Sequence, residues 1–116
     1  MKMITAFIQP FMLTKLVRAF ETLADFPGMS VTEVQGFGRE KAHREAGAQH
    51  SRLEDIVDFA KKVRVEVAAP DAMVEDIIRT IAQVTHTGNR GDGKILVWPI
   101  EAVLRVRTGE AGESAL

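Results

Sequence analysis

The segment Lys62-Val63-Arg64-Val65-Glu66-Val67-Ala68-Ala69 alternates between apolar residues and residues that are mostly charged. A repeat of two residues is typical of a β-strand that buries one face. Pro70 and Asp71 follow at once, and apolar residues then recur at helical spacing, namely Val74, Ile77, Ile78, Ile81 and Val84. This stretch therefore predicts a strand that leads directly into an amphipathic helix, with Asp71 as the N-cap and Gly88 ending the helix.

The first half of the chain repeats this strand–helix unit. Residues 2–9 alternate up to Pro10, and an apolar helical stripe then runs from Thr14, the predicted N-cap, to a break at 26–28. Residues 29–37 and 94–98 predict the second and fourth strands. Strand–helix–strand occurring twice is the ferredoxin-like βαββαβ arrangement, an α+β sandwich with both helices on one face of an antiparallel sheet.

The opposite face of this predicted sheet carries apolar residues as well. Met3, Phe7 and Val34 fall on it, and a monomer of this size cannot cover them, which favours self-association through that face. Residues 103–108 predict a short extra strand or arm, and the glycine-rich tail after Gly109 is expected to be loose.

Composition limits the classes of function. The 116 residues fit a single domain, 1–116, and 46% hydrophobic with 27% charged residues is typical of a globular protein. The net charge of −1 gives no reason to expect a nucleic-acid partner. There is no cysteine, which excludes thiolate chemistry. No apolar run reaches transmembrane length and no signal-peptide layout is visible, so we expect a cytoplasmic protein.

A long segment interrupts the pattern between the second and third strands. From Gly38 to about Asp55, charges of both signs alternate with alanine and glycine, and no apolar face can be drawn. A structureless insert of this length inside a small domain is either functional or a sign that the elements were assigned wrongly. Clear strand patterns on both sides favour a functional segment. We expect it to be mobile when nothing is bound.

The loop Thr87-Gly88-Asn89-Arg90-Gly91-Asp92-Gly93-Lys94 carries the clearest chemical signal. Glycines let successive N–H groups form a concave nest for an anion, and lysine adds a positive charge, so the loop predicts phosphate binding. It matches the beginning of a Walker A motif, but Ile95 replaces the Ser/Thr that would hold magnesium, and the loop leads into a strand rather than a helix. A helix C-cap followed by a hairpin turn explains the glycines equally well.

Other residues could converge on the same anion. Two glycines and an arginine end the second strand, and Arg105 and Arg107 fall on one side of a predicted extended segment. A solvated strand face explains the two arginines equally well, and the hinge of the long loop is an alternative explanation for the glycines. Glu66 could accept a hydrogen bond from a ribose or an adenine, although a cross-strand pair with lysine is the simpler explanation. His43, His50 and His86 match no metal-ligand spacing, so we expect no metal site, and no catalytic dyad or triad is visible.

Taken together, several blocks resemble the PII nitrogen-regulatory signal-transduction proteins. The first block is 28–39, Gly28-Met29-Ser30-Val31-Thr32-Glu33-Val34-Gln35-Gly36-Phe37-Gly38-Arg39. The later blocks follow in the family's order, namely Val57-Asp58-Phe59, Lys62-Val63-Arg64-Val65-Glu66, the loop at 87–95 and Arg105-Val106-Arg107-Thr108-Gly109-Glu110. The likeness covers almost the whole chain.

This resemblance implies a ferredoxin-like homotrimer with ATP/ADP sites in the clefts between subunits, and it allows magnesium beside ATP. Residues 38–55 would be the family's T-loop, which docks on target proteins, 87–94 the B-loop and 105–109 the C-loop. Lys62 matches the lysine that pairs with 2-oxoglutarate in the family. The nucleotide-binding residues that the resemblance implies are Ser30, Gly36, Phe37, Gly38, Arg39, Glu66, Thr87, Gly88, Gly91, Asp92, Gly93, Lys94, Arg105 and Arg107.

The T-loop departs from the family pattern. Glu40 stands where the family has a glutamine that helps to hold magnesium and 2-oxoglutarate, and the uridylylated tyrosine is missing. Such divergent PII-like proteins are linked to membrane transporters, so we expect a regulator, not an enzyme, that controls a transporter. The alternatives are a bicarbonate-responsive regulator, a regulator linked to heavy-metal efflux and a slow ATPase.

Overall fold

The computed structural model describes residues 1–37 and 59–116. Within these residues the structure contains four strands, two α-helices and two short 3-10 helices. In chain order the elements are β1 (Lys2–Ile8), a 3-10 helix (Pro10–Met12), α1 (Leu13–Glu21), β2 (Ser30–Gly36), β3 (Ala60–Ala69), α2 (Asp71–Thr85), β4 (Lys94–Pro99) and a second 3-10 helix (Glu113–Ala115).

The four strands form one antiparallel sheet in the order β2-β3-β1-β4. The central strand β1 pairs with β3 on one side, where Thr5 faces Glu66, and with β4 on the other, where Phe7 faces Lys94. Strand β2 pairs with β3, and Ser30 faces Glu66 there. This is the ferredoxin-like α+β arrangement that the strand–helix pattern predicts, and the prediction is confirmed.

The core lies between the sheet and the two helices. From Val63 to Ala69 every second residue of β3 is buried, including Val65 and Val67, and so are Ile4 and Ala6 of β1. Helices α1 and α2 contribute Leu16, Phe20, Ile77 and Ile81, and β1 also contributes Ile8, to the largest buried side chains. The alternation in β3 and the helical spacing in α2 therefore identify the buried faces correctly.

The other face of the sheet is not covered by any helix, and it is partly apolar. Leu96 and Trp98 of β4 remain 44% and 43% exposed. Near the centre of this face Arg64 Nε lies 3.2 Å from the Glu66 carboxylate. Thr5 is only 3% exposed, and its hydroxyl has no hydrogen-bond partner within the described residues.

The predicted helix ends are wrong at several positions. Helix α1 continues from the 3-10 helix that begins at Pro10, so Thr14 lies inside it and does not cap it. Asp71 is the first residue of α2, and Pro70 precedes it in the cap position without a side-chain cap. Helix α2 ends at Thr85, three residues before Gly88.

The C-terminal residues are folded, which corrects the prediction of a loose tail. Leu104 and Ala111 form an isolated β-bridge, and the Gly112 N–H donates to the Val103 carbonyl at 3.0 Å. The second 3-10 helix follows and buries Ala115. The predictions for the segment from Gly38 to Asp55 lie outside the described residues.

Candidate functional site

The glycine loop at 87–94 is organised by one carboxylate. Asp92 Oδ2 accepts hydrogen bonds from the backbone N–H groups of Thr87, at 2.7 Å, and Gly88, at 2.9 Å. The Thr87 hydroxyl donates to the other carboxylate oxygen, and it accepts from the Asn89 N–H at 3.1 Å. The two halves of the loop are thereby held against each other.

These hydrogen bonds also set the protonation state of the loop. The Thr87 hydroxyl and backbone N–H, with a smaller contribution from Gly88, hold the pKa of Asp92 below its ordinary value of 3.8. His86 Nδ1 lies 3.7 Å from the same carboxylate and favours its charged form when protonated. Asp92 is therefore ionised at neutral pH, and its charge is directed at N–H groups of the loop.

Two glycines press this loop against the end of β1. A Cβ built on Gly93 would lie 1.6 Å from the Phe7 carbonyl oxygen, so only glycine allows this approach. Gly91 adopts a φ of +88°, and its carbonyl accepts hydrogen bonds from Gln9 Nε2, at 2.8 Å, and from Lys62 Nζ. Both glycines have positive φ values that other residues rarely adopt.

A cleft of about 530 Å³ opens where this loop meets the uncovered face of the sheet. Six of the residues that the family resemblance implies for ligand binding line it together, namely Gly36, Phe37, Lys62, Gly91, Gly93 and Lys94. Phe37 is held by an edge-on contact with Phe59, with ring centroids 6.0 Å apart. The cleft thus combines backbone groups of a glycine loop, two ammonium groups and an aromatic ring.

Ser30 and Glu66 lie together in a second cleft of about 540 Å³, toward the other end of the same face. They are register partners on neighbouring strands. Glu66 pairs with Arg64 on its own strand, so the expected cross-strand pair with lysine is wrong. The side chains of Lys62 and Glu66 fall on the same face of β3, about 13 Å apart along the strand.

Arg105 and Arg107 are not part of either cleft within one subunit. Residues 105–109 form a turn that is closed by a hydrogen bond from the Gly109 N–H to the Arg105 carbonyl, at 2.8 Å, so the predicted extended segment is wrong. Arg105 pairs with Glu110, at 2.7 Å, and donates to the Ser114 carbonyl. Arg107 is exposed.

The remaining implied residues divide into two groups. Thr87, Gly88 and Asp92 form the internal framework of the loop, as described above. Gly38, Arg39 and Glu40 lie outside the described residues.

Gln9 makes a contact with the loop that the sequence does not reveal. Its partner Gly91 lies 82 positions further along the chain, so no local pattern connects the two residues.

Within 1–37 and 59–116, no three His, Cys, Asp or Glu side chains come together as metal ligands would. The helices in the same residues are all too short or too polar to cross a membrane.

Comparison with known proteins identifies the class. The family profile described as "Nitrogen regulatory protein P-II" matches residues 1–110. The chain therefore belongs to the P-II family of nitrogen-regulatory signal-transduction proteins. It is 46% identical to the nitrogen regulatory protein P-II of Azospirillum brasilense over 116 residues, and 42% identical to the nitrogen regulatory protein GlnK of Escherichia coli K12 over 118 residues. Both alignments cover 100% of each chain, and the family resemblance read from the sequence is confirmed.

Proposed function

We propose that this protein is a regulator that binds ATP and ADP in clefts between the subunits of a homotrimer, and that nucleotide binding changes its affinity for a target protein. One observation carries the nucleotide assignment. The Asp92-organised glycine loop docks on β1, and this brings Lys62 and Lys94 to the same cleft as Phe37. Ammonium groups and backbone N–H groups are the donors that phosphate oxygens require.

The uncovered face of the sheet supports the homotrimer. Leu96 and Trp98 leave apolar surface there, and burying it between identical subunits is the economical arrangement. Arg105 and Arg107 do not line the cleft of their own subunit that contains Lys62 and Lys94. In the proposed trimer they serve the cleft of a neighbouring subunit, where Arg105 exchanges its pair with Glu110 for a phosphate.

Calorimetry tests the nucleotide site directly. Lys94→Ala removes an ammonium group from the cleft, and we expect the affinity for ATP and ADP to fall roughly 10- to 100-fold, the value of one charge-assisted hydrogen bond. Lys15→Ala is the matched control, because Lys15 is an exposed lysine on α1. Wild-type protein that binds neither nucleotide would contradict the proposed function.

The target is proposed to be a membrane transporter that engages residues 38–55, the segment attached to the nucleotide cleft through Gly36 and Phe37. In a pull-down from membrane extract, the immobilised protein should retain different amounts of the transporter with ADP than with ATP, and Lys94→Ala should abolish this difference. Capture that is identical in both nucleotides would refute nucleotide control of the partner.

A second metabolite is proposed to bind beside the phosphates. Lys62 is the described part of that site, and its ammonium group donates to the Gly91 carbonyl. Glu40 follows Gly36 and Phe37 closely in the sequence. Its carboxylate would repel the two carboxylates of 2-oxoglutarate, because like charges repel. A small anion such as bicarbonate is therefore the proposed ligand, rather than the dicarboxylate 2-oxoglutarate, and calorimetry of the ATP complex with each anion distinguishes them.

A further inference from the structure

Gln9 connects the end of β1 to the glycine loop. Its Nε2 donates to the Gly91 carbonyl at 2.8 Å. The backbone that carries this side chain is itself fixed, because Pro10 restricts the preceding residue to extended conformations and Gln9 has φ −66° and ψ 136°. The Gln9 carbonyl also accepts the Met12 N–H at 3.0 Å. The amide group therefore projects from an anchored position.

The contact controls more than one atom of the loop. A trans peptide is planar, so a Gly91 carbonyl that points toward β1 directs the Asp92 N–H the opposite way. The side chain of Asp92 in turn holds the N–H groups of Thr87 and Gly88. Through one peptide, Gln9 consequently fixes the orientation of both halves of the phosphate-type loop relative to the sheet.

Lys62 shares the same carbonyl but differs in charge. An ammonium group prefers an anionic oxygen to a neutral carbonyl, so a phosphate or carboxylate in the cleft competes for it. The neutral amide of Gln9 is attracted to an anion much more weakly, so it stays hydrogen-bonded to the Gly91 carbonyl. Gln9 is thus the contact that persists when Lys62 turns to a ligand.

We propose that Gln9 is a positioning residue of the nucleotide site, which holds the Gly91–Asp92 peptide in the orientation that phosphate binding needs and leaves the charge of Lys62 available to the ligand. The proposal rests on the proposed function for its ligand. Its structural part, the tether between Gln9 and the loop, can be measured without any nucleotide.

The test compares Gln9→Leu with Gln83→Leu, the same substitution at an exposed position of α2. Hydrogen exchange of residues 87–94 in the ligand-free protein should become faster in Gln9→Leu, while residues 71–85 remain unchanged. The affinity for ATP should fall roughly 3- to 10-fold, as expected for one neutral hydrogen bond. Gln9→Glu keeps the shape but removes the donors, so it should also speed exchange in the loop and weaken ATP binding. Gln9→Lys supplies a donor again, so exchange in its loop should be as slow as in the wild type.

The outcomes separate the two proposals. Unchanged exchange in the loop of Gln9→Leu would overturn the tether, and faster exchange with unchanged ATP affinity would overturn the positioning role. Failure of the wild-type protein to bind ATP would instead contradict the proposed function, while the exchange measurement would still decide whether Gln9 holds the loop.

Discussion

Replacing Gly93 by alanine tests whether close packing of the glycine loop on β1 shapes the site. Gly93 has a φ of +100°, and an added Cβ would lie 1.6 Å from the Phe7 carbonyl oxygen and 2.8 Å from its carbon. These are backbone atoms, so no rotamer change relieves the overlap. Either the loop or the first pair of the β1–β4 ladder, Phe7 with Lys94, must move.

Gly28 provides the matched control for the magnitude. Its φ is +97°, but a Cβ at Gly28 would meet nothing within 4 Å. Alanine at either position pays about 1–2 kcal/mol for a left-handed conformation and recovers about 0.4–1 kcal/mol from the less flexible unfolded chain. Only Gly93→Ala adds the steric overlap with Phe7, and overpacking of this kind typically destabilises a protein by about 1–3 kcal/mol.

The expected result is that Gly93→Ala is less stable than Gly28→Ala by about 1–3 kcal/mol in urea unfolding. Both variants must be measured at the same protein concentration, because association of subunits would make stability concentration-dependent. Gly93→Ala should also weaken ATP binding in calorimetry. Equal free energies of unfolding for the two variants would refute the conclusion that the loop is held by its contact with Phe7.

Three further predictions concern the loop, the sheet face and modification. Because the pKa of Asp92 is depressed in the folded state, its stabilising contribution is present above its ordinary value of 3.8 and is lost as the pH falls through the lower folded value. The urea midpoints of wild type and Asp92→Ala should therefore differ at neutral pH and converge below pH 3.8; a pH-independent difference contradicts this. If the proposed trimer forms through the uncovered face, Leu96→Asp should lower the mass in light scattering to that of a monomer, because the interface would have to bury a carboxylate; an unchanged mass argues against that interface. The chain has no tyrosine to accept a uridylyl group, so intact mass should show no uridylyl adduct, and an adduct would contradict this prediction.

Sequence patterns were sufficient wherever the structure follows a simple period. The two-residue period of β3 places Val65 and Val67 in the core, and the spacing of α2 identifies Ile77 and Ile81. These predictions succeed because a regular element repeats its direction relative to the core. The glycine loop also followed from composition, since close approach and positive φ both require glycine.

Predictions failed where the deciding contact lies far away in the chain. Aspartate is a preferred N-cap residue, but the Asp71 carboxylate accepts a hydrogen bond from the amine of Met1, at 2.8 Å, instead of capping the helix. The tail after Gly109 resembles a loose end, yet its backbone pairs with residues 103–105. Local propensity cannot reveal either contact, because each depends on a partner brought close by the fold.

The strand that predicts the fold also determines the layout of the proposed site. From Val63 to Ala69 the odd-numbered residues of β3 enter the core, so the even-numbered Lys62, Arg64 and Glu66 reach the uncovered face. Lys62 therefore lies at the cleft beside the glycine loop, and Glu66 lies at the second cleft with Ser30. A shift of one residue in the pairing of β3 would move all three charged side chains into the core. The register that buries the valines thus also fixes the distance between the two clefts, and the site depends on the stability of the sheet as well as on its loops.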